Sequence, residues 1–176
     1  MNYKILSFNG KTPQIHKSAV IADNVVIIGD VIIEENVNIW PNTTIRGDLG
    51  TIHIKKNTNI QDNSVIHTDY NLPCIIGENC IIGHSAILHS AIIENNCLVG
   101  MGSIVLNNTK MEEYSILGAG SMLTNNMIVP QKQLWLGSPA KYFRDVRESE
   151  IEYNKNAVTE YIELSKQLKK DNQTNK

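Results

Sequence analysis

Three histidines stand where the chain can assemble a metal ligand set. His67 and His89 occupy the same point of a six-residue repeat, and His84 precedes His89 by five residues on a different face of the same coil. Imidazole nitrogens bind zinc-type ions at about 2.0–2.1 Å, and three such ligands leave a fourth position open, as in catalytic rather than structural sites. Read singly, each histidine would be a polar corner or surface residue. Their stacked register beside Arg46, Asp48 and Asp62 makes metal binding the better reading. His16 and His53 lack such neighbours in the repeat and are expected to be solvated.

The elements that must position these residues follow from the repeat. Every sixth residue from Ile15 to Ile45 is isoleucine. After a three-residue insertion the series resumes at Ile54, Ile60 and Ile66. An insertion of four carries it to Ile76, Ile82 and Leu88, and one deleted residue resets it to Ile93, Val99, Val105 and onward to Val129. Four positions after most of these stands a small or β-branched residue, such as Val25, Thr43, Ser64, Ala86 or Ser103. A period of six suits neither an amphipathic helix nor a long half-buried strand. It suits short strands joined by tight corners, three to a coil of eighteen residues, with coils about 4.8 Å apart. Glycines 77, 83, 100, 102, 118 and 120 suit corners needing unusual backbone angles. The fold expected is a parallel β-helix, mainly β.

Stacked residues differ by eighteen plus whatever is inserted between them. On that arithmetic Arg46, His67 and His89 form one column, and Asp62 and His84 another. A corner separates His84 from the pair in its own chain, so the third ligand is expected from a neighbouring subunit.

From Val146 to about Lys169 the rhythm turns helical (Ile151, Val158, Tyr161, Ile162, Leu168), and Ser149 with Glu152 resembles a capping box. The expected organisation is a β-helix over 1–145, a helix over 146–170 packed on the coil or a neighbour, and a frayed tail over 171–176. The 176 residues carry a net charge of −2 without a basic stripe, which argues against nucleic acid. No apolar run approaches the roughly 20 residues of a membrane span, and the N-terminus reads as lacking a signal peptide. Cys74, Cys80 and Cys97 form no C-x-x-C pair, and Cys80 and Cys97 fall at small inward positions. A reducing cytoplasm is the expected compartment.

The sequence resembles the gamma-class carbonic anhydrase family at Asn38-x-Trp40, Arg46-Gly47-Asp48, Asn59-Ile60-Gln61-Asp62, His67, Gly83-His84, His89 and Gly100-Met101-Gly102. The likeness continues through Gly137-Ser138-Pro139-Ala140-Lys141 to a helix with Ala157 and Tyr161, and so covers nearly the whole chain. It implies a left-handed β-helix of hexapeptide repeats that assembles as a homotrimer. It also implies zinc, with iron or cobalt as possible substitutes, on His67 and His89 of one subunit and His84 of the next. Further implications are an Arg46–Asp62 ion pair across the interface supported by Asp48, Gln61 orienting the bound water, and Tyr161 approaching from the helix.

The implied activity is reversible hydration of carbon dioxide to bicarbonate by a metal-bound hydroxide. The prototype exports the proton through a glutamate in an acidic loop; here Thr68 to Cys74 is short, with Asp69 its only acid. Glu163 stands where the prototype has an asparagine two residues beyond the helix tyrosine. The resemblance therefore does not carry over the prototype's route for fast proton export. Rival readings on the same scaffold are a CoA-dependent acyltransferase, an acyl-CoA thioesterase (some relatives are linked to carnitine or phenylacetate metabolism), and a metal-stabilised trimeric scaffold without activity. The Gly-x-Pro-Ala-Lys segment is shared with some acyltransferases and does not discriminate. Trp40, Tyr70 and Met101 are given no role.

Overall fold

An aliphatic residue at every sixth position turns inward because each side of the coil is a few residues of extended chain followed by a tight corner. The computed structural model describes residues 1–173 and forms a parallel β-solenoid of about seven turns with one C-terminal helix. One side stacks the first residues of Val26–Ile33 and Thr44–Ile54, then Val65–His67, Ile87–His89, Ile104–Val105 and Met122–Leu123. The second stacks Gln14–Ile15, the ends of the same two long strands, Cys74–Ile76, Ile92–Ile93, Lys110–Met111 and Ile128–Val129. The third runs from Val20–Ile21 to Gln133–Gly137. There the strand Ala140–Asp145 folds back antiparallel and ends the stack.

Ile27, Ile45, Ile66, Leu88, Val105 and Leu123 form one inward column and are fully buried. Each contributes roughly 1.5–3 kcal/mol, so stacking alone builds the core. The smaller inward positions are satisfied when polar: Thr43 Oγ1 donates to the Gln61 carbonyl (3.1 Å), Thr58 to Gly77 (2.6 Å) and Ser64 to Gly83 (3.1 Å). Insertion of three residues after Ile45 is absorbed as a shift in register between Gly29 and Val31 against Gly47 and Ile52. The later insertion of four forms the loop that carries Asp69.

The corners differ from expectation. Gly102 and Gly120 do have positive φ, but Gly77, Gly83, Gly100 and Gly118 do not, and most left-handed corner positions are asparagines. Asparagine tolerates that conformation because its short amide bonds locally. Here it also bonds between coils, Asn36 to Asn57 (3.1 Å), Asn57 to Asn79 (3.0 Å) and Asn79 to Asn96 (3.4 Å). Gly100 serves close approach instead, since a Cβ there would meet Ala119 N at 2.5 Å.

Helix α1 spans Glu148–Gln173, so residues 171–173 of the expected tail are helical and 174–176 lie outside the described residues. It packs along the third side, against Val20–Ile21, Asn38–Ile39 and Asn59–Ile60, burying Ile151, Val158 and Ser165. Its entry is not the Ser149–Glu152 box. Glu150 accepts the Arg147 N–H (2.9 Å) and a bidentate pair of bonds from Arg144 (both 2.8 Å), because it sits three residues past Arg147, where a carboxylate reaches back to the free N–H. Arg144 first, and the Arg147 amide after it, hold the Glu150 carboxyl at about 2, against 4.5 unperturbed. A carboxyl depressed on folding adds stability above its unfolded value and loses it as pH falls through the folded one. Glu150→Gln is therefore expected to cost about 1–2 kcal/mol at neutral pH. Urea denaturation should show that gap closing between pH 4.5 and about 2; a gap independent of pH would remove the charge argument.

All three cysteines are free and buried. Burial pushes the Cys74 thiol up to about 11 and Cys97 up to about 12, so they are packing groups. No helix among the described residues is long and apolar enough to cross a membrane.

Candidate metal centre

Stacked parallel strands bring Arg46, His67 and His89 into one row, in the register Arg46 to His67 and His67 to His89. The two imidazoles meet edge to face, with ring centroids 4.9 Å apart and His67 Nδ1 3.0 Å from His89 Nε2. Their other nitrogens are held. His67 Nε2 is 3.0 Å from Asp48 Oδ1, and Arg46 Nη1 donates to the other oxygen of Asp48. Burial pushes the Asp48 carboxyl up, yet the bonds from His67 and Arg46 outweigh it and leave the pKa below its ordinary value. A carboxylate accepts only, so His67 Nε2 carries a proton, which in the neutral ring leaves Nδ1 as the ligand nitrogen.

On the outer side of His89, Nδ1 donates to Asn107 Oδ1 at 2.5 Å. In the neutral ring that proton leaves Nε2 as the ligand nitrogen, facing His67. At 3.0 Å the two facing nitrogens are satisfied either by a shared proton or by a metal ion between them. Tetrahedral coordination at zinc–nitrogen lengths would set the nitrogens about 3.4 Å apart, so the pair fits a metal ion with little adjustment.

His84 stands at another corner, after the strand Ile81–Ile82. Its Nδ1 is 2.9 Å from Asp62 Oδ2, which leaves Nε2 as the available ligand nitrogen. Beside it, Gln61 is buried; its Oε1 accepts the His84 N–H at 3.1 Å, and Tyr161 lines the same groove. Burial first, then the Asp62 charge, raises the Tyr161 pKa, so at neutral pH it is a phenol. Trp40 packs edge-on against Tyr161 with centroids 5.8 Å apart, and its indole N–H donates to Asn38 (3.0 Å). A groove of about 320 Å³ opens here, lined by Gln61, His84, Leu98, Met101, Ala157 and Tyr161 among others.

The residues singled out in the sequence thus divide into two clusters. Arg46, Asp48, His67 and His89 share one; Gln61, Asp62, His84 and Tyr161 share the other. Among the described residues of one chain, no group of three or more His, Cys, Asp or Glu converges on a metal position. Within the chain Arg46 pairs with Asp48 and Asp62 with His84, so an Arg46–Asp62 pair would have to form between subunits.

Two readings need correction or addition. His53 is not simply solvated: its Nε2 lies 2.7 Å from Glu34 Oε1, because the insertion after Ile45 brings it beside the preceding coil. His16 bonds Ser18 through Nδ1 (2.8 Å) and is exposed. Asn107 was missed. It lies eighteen residues after His89, but the deletion in that coil pairs Leu88 with Val105, so Asn107 is one residue past the stacked position.

The chain resembles known proteins over nearly its whole length. The bacterial transferase hexapeptide family (six repeats) matches residues 12–47 and 90–125. A carbonic anhydrase from Geobacillus kaustophilus is 45% identical over 165 residues, covering 94% of this chain and 91% of that protein. Gamma carbonic anhydrase 2, mitochondrial, from Arabidopsis thaliana is 34% identical over 161 residues, 88% of this chain but only 58% of the plant protein. Among solved structures, a hexapeptide transferase family protein from Anaplasma phagocytophilum is 46% identical with a TM-score of 0.89, covering 92% of this chain and 96% of that one.

Proposed function

The chain belongs to the gamma-class carbonic anhydrase-like family of hexapeptide-repeat proteins, and on that footing we propose that it is a metal-dependent enzyme hydrating carbon dioxide reversibly to bicarbonate between the subunits of a homotrimer. The observation that carries this reading is the pair of ring nitrogens of His67 and His89 that face each other 3.0 Å apart, with the outer nitrogens held by Asp48 and Asn107. In the proposed trimer His84 of the next subunit completes the ligand set. Zinc is the proposed ion, and the same imidazoles accept iron or cobalt. When bound, such an ion lowers the pKa of water to about 7 and so supplies a nucleophile at neutral pH.

The remaining work falls to the chain's own groups. Asp48 and Asp62 each take the outer proton of a histidine, which fixes the ring direction and leaves the inner nitrogen free to bind. Gln61 is held by the His84 amide and buried, so its polar end is preorganised beside the reacting water. Tyr161, kept as a phenol, is a hydrogen-bond donor at the mouth. Arg46 pairs with Asp62 across the interface. The two acids placed to export a proton are already engaged, Asp69 by Asn107 (3.0 Å) and Glu163 by Lys166 (2.7 Å), which supports slow, buffer-dependent turnover. Three free buried thiols support a reducing cytoplasm as the compartment.

A second reading draws on the groove beside His84. Its volume of about 320 Å³ exceeds what carbon dioxide needs and falls in the range of organic ligand pockets, which favours an acyl thioester as the alternative substrate. Stopped-flow hydration on anaerobically purified protein, with metal content read on the same sample, separates the two. Hydration that scales with bound metal and rises with buffer concentration is the expected result. Bound metal without hydration, but with acyl-CoA cleavage, would replace the first reading by the second.

A further inference from the structure

The loop made by the four-residue insertion carries a side chain that reaches the histidine pair indirectly. Asp69 Oδ2 accepts from Asn107 Nδ2 at 3.0 Å, and Asn107 Oδ1 faces His89 Nδ1 at 2.5 Å. Asp69 is itself fixed: its backbone N–H donates to Ser90 Oγ (2.7 Å) and its Oδ1 accepts the Tyr70 N–H (2.8 Å). An asparagine amide can face either way, and its neighbours decide which. A carboxylate accepts only, so Asp69 draws the NH2 of Asn107 and turns the carbonyl toward His89. That carbonyl accepts only as well, so it demands a proton on His89 Nδ1.

The alternative state shows why this matters. With its proton on Nε2, His89 would donate to Nδ1 of a neutral His67, 3.0 Å away. The two histidines would then satisfy each other and close the position between them. We infer that Asp69 and Asn107 form a tautomer lock that keeps His89 in the Nδ1–H form and so holds the pair open for a metal ion. Both are positioning residues acting through His89, and the inference rests on the metal site proposed above. Outer partners of ligating histidines typically change metal affinity by about 10–100-fold.

The test uses the full-length protein. Nitrogen-15 NMR of the metal-free form reads the His89 tautomer, and competition with a chelating dye reads zinc affinity. Parent protein is expected to show Nδ1–H. Asp69→Asn, which lets the facing amides turn either way, should mix the tautomers, and Asn107→Leu should convert His89 to Nε2–H with about 10–100-fold weaker zinc binding. The exchange D69N/N107D restores an acceptor toward His89 held by an amide donor, and should return both readings to near the parental values. A merely packing role for Asn107 predicts no such rescue. An unchanged tautomer in Asn107→Leu overturns the lock, and a changed tautomer with unchanged zinc affinity overturns its link to the metal. If the parent binds no zinc, the metal reading falls with the affinity claim, while the tautomer still reports on the relay.

Discussion

Subunits carrying His67→Ala and subunits carrying His84→Ala, each without hydration activity alone, are expected to recover about one quarter of the parental rate when co-assembled in equal amounts, since each interface of a random closed trimer then has that chance of uniting two intact halves. The basis is the separation of the two clusters. His67 and His89 share one row, His84 stands with Asp62 at another corner, and no threefold ligand set closes within one chain among the described residues. Either substitution alone leaves every interface with two imidazoles at most, and with the nucleophile gone, activity should fall to the uncatalysed level. Metal content measured on the mixed trimers should recover in parallel. A mixture as inactive as its components would sink the shared site, and full activity in either single variant would sink the ligand assignment. His53→Ala is the control, because His53 bonds Glu34 on a different side of the coil and should leave hydration intact.

Ile66→Ala should be the most damaging of the small core changes, costing about 2–5 kcal/mol by the cavity it leaves. Ile66 is fully buried and pairs with Ile45 on one side and Leu88 on the other. The coil rungs are held at hydrogen-bonded spacing, so the cavity persists. His67 follows it directly, and the row of imidazoles depends on those same rungs, so metal affinity should weaken together with stability. Urea denaturation at matched subunit concentration measures the loss, matching being needed because assembly shifts apparent stability by mass action. A change below about 1 kcal/mol would mean that the column relaxes as globular cores rarely do.

Much of this molecule is legible without coordinates because the repeat converts sequence distance into spatial distance. Once Ile27, Ile45, Ile66 and Leu88 are recognised as successive inward positions of one column, the neighbours of His67 follow by counting, insertions included, and the structure has Arg46 and His89 there. The corners were read less well. Glycine is the residue whose backbone freedom is familiar, yet asparagine occupies most of the left-handed positions, and its advantage, an amide bonded to the next coil, appears only when coils are stacked. The helix entry was misplaced by a few residues for a similar reason. Arg144, which secures Glu150, lies on the strand that closes the coil, outside any capping pattern.

The sequence by itself therefore determined the solenoid, its inward column, the trailing helix and the pairing of His67 with His89, since each follows from a period that backbone geometry permits in one way. Only the tertiary structure decided which nitrogen of each imidazole meets Asp48, Asp62 or Asn107, and that His53 is paired with Glu34. Those outcomes depend on side-chain directions and on hydrogen bonds between residues about one coil apart, where a shift of a single residue, as at Asn107, changes the partner.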